Sequence, residues 1–170
     1  MIILITGGER SGKSSYAQKS ALSLSENPVY VATARKWDGD FKKRIERHQS
    51  ERDNRWTSIE EEKYISKPEL ADKVVVIDCV TLWLTNFYAD TKYNVEESLV
   101  QAKAEFEKIK LLKGIFIFIT NEIGMGVHAE TEIGRKFVEL QGWMNQYIAQ
   151  NAEEVFLMIS GIPVKIKPLK

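Results

Sequence analysis

Gly7-Gly8-Glu9-Arg10-Ser11-Gly12-Lys13-Ser14 fits the pattern G-x-x-x-x-G-K-[ST] without a gap, and its residue types suit the holding of phosphate. Glycines let successive backbone N–H groups turn onto phosphate oxygens, and a helix starting near Lys13 aims its positive end at the same anion. Lys13 would reach the β and γ phosphates of a nucleotide, and the Ser14 hydroxyl would sit on a magnesium ion bridging them. A second candidate is Asp78, which ends the apolar run Val74-Val75-Val76-Ile77. A carboxylate at the carboxyl end of such a strand meets a phosphate loop, where it holds magnesium beside Ser14. The competing role for Asp78 is to cap the following helix.

A third group lies between Arg35 and Arg55, a stretch with eight basic residues against five acidic ones and one of the chain's two histidines. On a helix over 40–52, Arg44, His48 and Arg52 form one stripe along which phosphate could lie. Flanking guanidiniums lower an imidazole's pKa and keep it neutral and nucleophilic near pH 7. The same composition suits a charged lid closing over substrate, with His48 incidental. Spacing leaves both readings open.

The elements that must position these groups alternate along the chain. Met1 to Thr6 reads as a buried strand running into the glycines, and Ser14 to Leu24 carries Tyr16, Ala17, Ser20, Ala21 and Leu24 at helical spacing. Further apolar, β-branched runs recur at Val29 to Thr33, Val74 to Cys79, Ile115 to Thr120 and Val155 to Ser160, with a short edge strand over Val164 to Ile166. Their continuous apolar character predicts strands covered on both faces. Val95 to Leu112 and Glu130 to Gln150 read as amphipathic helices, the second with Ile133, Phe137, Leu140, Met144 and Tyr147 on one stripe. The expected fold is α/β: a single P-loop NTPase-type domain over 1–170, RecA-like, its mostly parallel sheet carrying helices on both faces.

Composition narrows the partners. The 170 residues carry 24 basic and 24 acidic side chains, a formal net charge of zero, which speaks against wrapping nucleic acid or lying on an anionic membrane. No run approaches the ~20 apolar residues of a membrane span. A single cysteine, Cys79, cannot form an intramolecular disulfide and reads as a small buried hydrophobe. The N-terminal apolar run is too short for a signal peptide, so the expected location is cytoplasmic.

Several longer stretches resemble one family. T-G-G-E-R-S-G-K-S at Thr6 to Ser14, Y-V-A-T-A at Tyr30 to Ala34, R-I-E-R-H at Arg44 to His48 with Arg52 beyond, and W-T-S-I-E at Trp56 to Glu60 are similar to signatures of the bifunctional adenosylcobinamide kinase / adenosylcobinamide-phosphate guanylyltransferases of cobalamin assembly. So are I-D-C-V-T-L-W-L-T-N at Ile77 to Asn86, T-N-E-I-G-M-G at Thr120 to Gly126 and S-G-I-P-V-K-I-K at Ser160 to Lys167. The resemblance runs essentially end to end.

That resemblance implies phosphorylation of adenosylcobinamide by ATP or GTP, then transfer of GMP from GTP to adenosylcobinamide phosphate through a covalent guanylyl-histidine at His48, with Mg2+ as cofactor. It places nucleotide contacts on Gly7 to Ser14, on Thr33, Ala34 and Arg35, on Gln49, Ser50, Glu51 and Arg52, and on Glu60 and Asp78, with Glu60 toward the guanine edge. It also implies a homotrimer. His128 and Ala129 replace a more usual Val-Pro, and Trp143 interrupts a more usual G-R-x-N run. For His128 the favoured reading is a loop histidine without a ligand, over a contact with substrate. The competing functions are a monofunctional P-loop metabolite kinase, in which Arg35 to Arg55 is only a lid, and a switch GTPase or non-enzymatic nucleotide sensor, the absence of N-K-x-D speaking against the switch.

Overall fold

The computed structural model describes residues 1–35, 53–126 and 128–168. The expected helix over 40–52 lies outside them. Among the described residues seven strands form one sheet in the order β3-β2-β4-β5-β1-β6-β7. In chain order these are β1 (Ile2–Gly7), β2 (Val29–Ala32), β3 (Thr57–Glu60), β4 (Lys73–Asp78), β5 (Gly114–Ile119), β6 (Glu154–Ile159) and β7 (Ile162–Lys167). Adjacent strands run parallel except β7, which returns antiparallel along β6 through a tight turn at Ser160 and Gly161.

The described helices divide between the two faces, as the continuous apolar strands require. Helix α1 (Lys13–Leu24) covers one face, laying the small residues Ala17 and Ala21 against Ile3, Ile5, Val74, Val76, Ile117 and Ile119. Helices α2 (Val80–Asp90), α3 (Val95–Leu111) and α4 (Glu132–Asn151) cover the other, where Trp83, Phe87, Phe106, Ile109, Met144 and Ile148 meet Leu4, Val75, Ile77, Phe116 and Phe118. Each such fully buried side chain stabilises the fold by roughly 1.5–3 kcal/mol relative to exposure. The Asn94 side chain caps α3 by accepting the Glu97 N–H at 3.0 Å, and the Thr131 hydroxyl caps α4 by accepting the Gly134 N–H at 3.1 Å.

The mostly parallel sheet with helices on both faces is the architecture the apolar runs predict, and most boundaries agree within two residues. Along α4 the expected stripe is only partly covered: Leu140 and Met144 are buried, whereas Ile133 is exposed. Two elements escaped the periodicity. Strand β3 is largely exposed at the sheet edge, and α2 is apolar on most of its circumference, so neither shows a one-sided pattern. None of the described helices is long and apolar enough to cross a membrane.

Candidate nucleotide site

The parallel strands end together, so the chain leaves β1, β2, β3, β4 and β5 at one edge of the sheet. Gly7 to Gly12 forms the loop there. Gly7 has φ near +150°, and a Cβ on it would stand 2.6 Å from the Met158 carbonyl oxygen. Gly12 has φ near +94° and meets the Cα of Gly161 at 3.1 Å from its own ideal Cβ position, so a side chain at either position would push the loop off its seat. The Gly161 N–H donates to the Ser11 carbonyl at 2.9 Å, which ties the β6–β7 turn to the loop. Gly12 provides no side-chain cap to α1, and the buried Ser11 hydroxyl has no partner among the described residues. Uncapped helix N–H groups and an unpaired hydroxyl at one loop suit an anion with several acceptor oxygens.

Lys13, only 7% exposed, folds back over the loop and donates from Nζ to the Gly8 carbonyl at 2.5 Å. Ser14 Oγ donates to Asp78 Oδ2 at 2.9 Å, although the residues are 64 positions apart. The same oxygen accepts the Tyr30 hydroxyl at 2.5 Å. The helix after β4 has Cys79, not Asp78, at its N-cap and no side-chain cap, so the Asp78 carboxylate is spent on Ser14 and Tyr30 rather than on capping. A hydroxyl and a carboxylate oxygen are hard donors suited to magnesium. Among the described residues there is no cluster of three His, Cys, Asp or Glu.

Thr33 is 0% exposed, and its hydroxyl is occupied by the Cys79 peptide, accepting from the N–H and donating to the carbonyl, both at 2.8 Å. It anchors the end of β2 to the end of β4. Buried Asn86 on α2 adds a second tie, donating Nδ2 to the Thr33 carbonyl at 2.7 Å and to the Glu62 carbonyl at 2.9 Å. Beyond these ties a cleft of about 300 Å³ opens, lined by Ala34, Arg35, Glu60 and Glu62. Arg35 bonds Glu62 through Nε at 2.6 Å and Asp90 through its two terminal nitrogens at 2.8 and 3.1 Å. Those carboxylates raise the Arg35 pKa still further above its ordinary value. The register sets Glu60 level with Ala32 and Asp78 across β3, β2 and β4, so Glu60 and Asp78 lie two strand spacings apart, roughly 10 Å.

The structure therefore gathers Gly7 to Ser14 with Asp78, and Ala34, Arg35 and Glu60 around an adjoining cleft. His48, Gln49, Ser50, Glu51 and Arg52 lie outside the described residues. Sequence reasoning gave no task to Tyr30; its one clue was a lone hydroxyl within an otherwise apolar strand. Burial, with the Asp78 charge second, pushes the Cys79 thiol up to about 12, in keeping with a buried, unreactive side chain.

Residues 3–166 match the family described as cobinamide kinase / cobinamide phosphate guanyltransferase. The chain is 34% identical over 182 residues to the bifunctional adenosylcobalamin biosynthesis protein CobU of Escherichia coli, covering 98% of this chain and 100% of that protein. It is 35% identical over 170 residues to the bifunctional adenosylcobalamin biosynthesis protein CobP of Pseudomonas aeruginosa, covering 96% of each. Among solved structures it is similar to the flagellar accessory protein FlaH of Methanocaldococcus jannaschii, with a TM-score of 0.47 and 16% identity over 98% of this chain and 77% of that one.

Proposed function

The chain belongs to the cobinamide kinase / cobinamide phosphate guanyltransferase family, and we propose that one domain and one phosphate loop serve both of its reactions. It is an adenosylcobinamide kinase and adenosylcobinamide-phosphate guanylyltransferase, acting in cobalamin biosynthesis with ATP or GTP and then GTP as nucleotide substrates. The observation that carries the shared site is the 2.9 Å contact of Ser14 with Asp78, which joins the start of α1 to the end of β4 beside the loop.

In the kinase step the acceptor hydroxyl oxygen bonds to the γ-phosphorus, and the bond from that phosphorus to the bridging oxygen breaks. The loop N–H groups and Lys13 hold the phosphates and offset the charge that moves onto the leaving diphosphate. Ser14 and Asp78 would hold Mg2+, which when bound would offset negative charge on the phosphates. In the second reaction an imidazole nitrogen of His48 bonds to the GTP α-phosphorus and pyrophosphate leaves; an oxygen of the corrinoid phosphate then takes the GMP and frees His48. We assign nucleotide binding to Gly7 to Ser14, Thr33 to Arg35, Gln49 to Arg52, Glu60 and Asp78, with Thr33 contributing by holding the end of β2 against β4, since its hydroxyl is committed to Cys79 and its N–H to the Asp78 carbonyl. The assembly we propose is a cytoplasmic homotrimer; exposed Ile162, Val164 and Ile166, alternating along edge strand β7, support burial against a second copy.

Incubation with GTP labelled at the α position tests the histidine. Wild type is expected to take up an acid-labile, base-stable label, and His48→Ala none, while still phosphorylating adenosylcobinamide. Label surviving in His48→Ala would move the nucleophile elsewhere. Kinase activity with no label in wild type would favour a plain metabolite kinase.

A further inference from the structure

The T-N-E-I-G-M-G stretch is a sequence signature to which the nucleotide site assigns no task. It leaves β5, the strand inserted between β1 and β4, so Thr120, Asn121 and Glu122 emerge between the phosphate loop and the end of β4. The Glu122 N–H donates to the Gly7 carbonyl at 3.1 Å. Oε1 of its carboxylate accepts from the Thr6 hydroxyl and, at 3.5 Å, from Nδ2 of Asn145.

Asn121 bonds the Thr81 hydroxyl through its backbone N–H at 3.3 Å and its Nδ2 at 3.1 Å. Gln141, 1% exposed, donates to Thr81 Oγ1 at 2.8 Å and to the Asn121 carbonyl at 2.6 Å. Thr120, 0% exposed, donates to Asn145 Oδ1 at 2.7 Å. Burying so many polar groups is unfavourable unless they pair, and once paired they hold a segment stiffly. Here the segment held is the one that carries Glu122.

The carboxylate's placement is specific. Thr6 continues the alternation of Ile2 and Leu4 toward the α2–α4 face, whereas Asp78 continues that of Val74 and Val76 toward α1. The two carboxylates thus stand at one edge of the sheet on opposite faces. Oε2 of Glu122 makes no hydrogen bond among the described residues, and the side chain is only partly buried. The chain runs from Glu122 directly into the wall of a cleft of about 230 Å³ that includes Ile123, Gly124, His128 and Arg135.

We propose that Glu122 is the general base of the kinase step. Its Oε2 takes the proton of the acceptor hydroxyl as that oxygen bonds to the γ-phosphorus and the nucleoside diphosphate leaves; the proton then passes to water. The proposal rests on the bifunctional reading, and the two reactions differ where it matters. An alcohol must lose a proton during attack, whereas the phosphate that accepts GMP is already anionic at neutral pH and needs no base.

Glu122→Gln keeps the side chain's length and an oxygen for Thr6. Both reactions are measured on the full chain: phosphorylation of adenosylcobinamide, and GMP transfer from GTP to supplied adenosylcobinamide phosphate. The ratio of kinase to transferase rate is expected to fall on the order of 10²-fold, through kcat, with the nucleotide KM moving less than about threefold. Glu122→Asp, which keeps a carboxylate, is expected to fall between and supplies the same ratio where the glutamine variant does not fold. A parallel loss of both activities, or an unmoved ratio, would overturn the proposal and leave Glu122 as a brace. Wild type performing neither reaction would instead remove the bifunctional reading, and the proposal with it.

Discussion

The two ends of the proposed nucleotide site are built by opposite means. At the phosphate end, Lys13, Ser14, Tyr30 and Asp78 are drawn together from central strands and α1, and the loop is pinned through Gly7 to Glu122 and through Ser11 to Gly161. At the other end, Ala34, Arg35, Glu60 and Glu62 stand where β2 and the edge strand β3 run out, and the ties among Arg35, Glu62, Asp90 and Lys63 are partly exposed ion pairs. Buried, hydrogen-bonded groups cannot be moved without leaving partners unsatisfied, while ion pairs in water can be broken at small cost. On the proposed assignment the arrangement is rigid at the end given to the phosphates, which all nucleoside triphosphates share, and more loosely held at the end given to the base.

The sharpest break of that contrast comes from the rigid end. Lys13→Ala is expected to reduce both kinase and transferase activity by a factor on the order of 10² or more, because both reactions lean on the same phosphates. Thermal unfolding should change little, since Lys13 supplies the loop with a hydrogen bond and not with core packing. Survival of one activity alone would mean that the two reactions do not share the loop.

A smaller effect is expected at Asp78. Asparagine can still accept from Ser14 and Tyr30 while losing the charge that attracts a cation. Asp78→Asn should raise the magnesium concentration needed for half-maximal rate about tenfold or more, with nucleotide docking less affected because the loop N–H groups remain. An unchanged magnesium midpoint with lowered stability would reduce Asp78 to a structural tie between β4 and α1.

The same contrast separates what was legible in the sequence from what was not. Strand, loop and helix from Ile2 to Leu24 are contiguous, so the whole phosphate loop could be read locally, and Asp78 could be read from its place at the end of an apolar run. The contacts of Tyr30 with Asp78, and of Thr6 with Glu122, depend on which strand lies beside which. No periodicity encodes the insertion of β5 between β1 and β4. Thr57–Glu60 was legible as a family signature and not as a strand, since a single partly covered isoleucine carries its pattern. Val80–Asp90 buries Val80, Trp83, Leu84, Asn86, Phe87 and Tyr88, too wide an arc for an amphipathic signal.

The smallest effect is expected at the looser end, where pH provides the test. Asp90 accepts from both terminal nitrogens of Arg35 at 2.8 and 3.1 Å and pairs with Lys63 Nζ at 2.7 Å. The hydrogen bonds from Arg35, then those from Lys63, hold its carboxyl well below the usual carboxylate range. A depressed folded-state pKa stabilises the fold in full above the unfolded value near ~3.9 and loses that contribution as pH falls toward the folded one. The Asp90 side chain is 36% exposed, so screening limits its worth to about 1 kcal/mol or less. Asp90→Asn should therefore lower urea stability by at most that amount at pH 7, and by progressively less as pH drops below about 4. Arg35 keeps its 2.6 Å bond to Glu62 in the variant, so the cleft should retain its wall. A stability cost that stays constant through the acid range would assign the role of Asp90 to packing at the end of α2 instead of to charge.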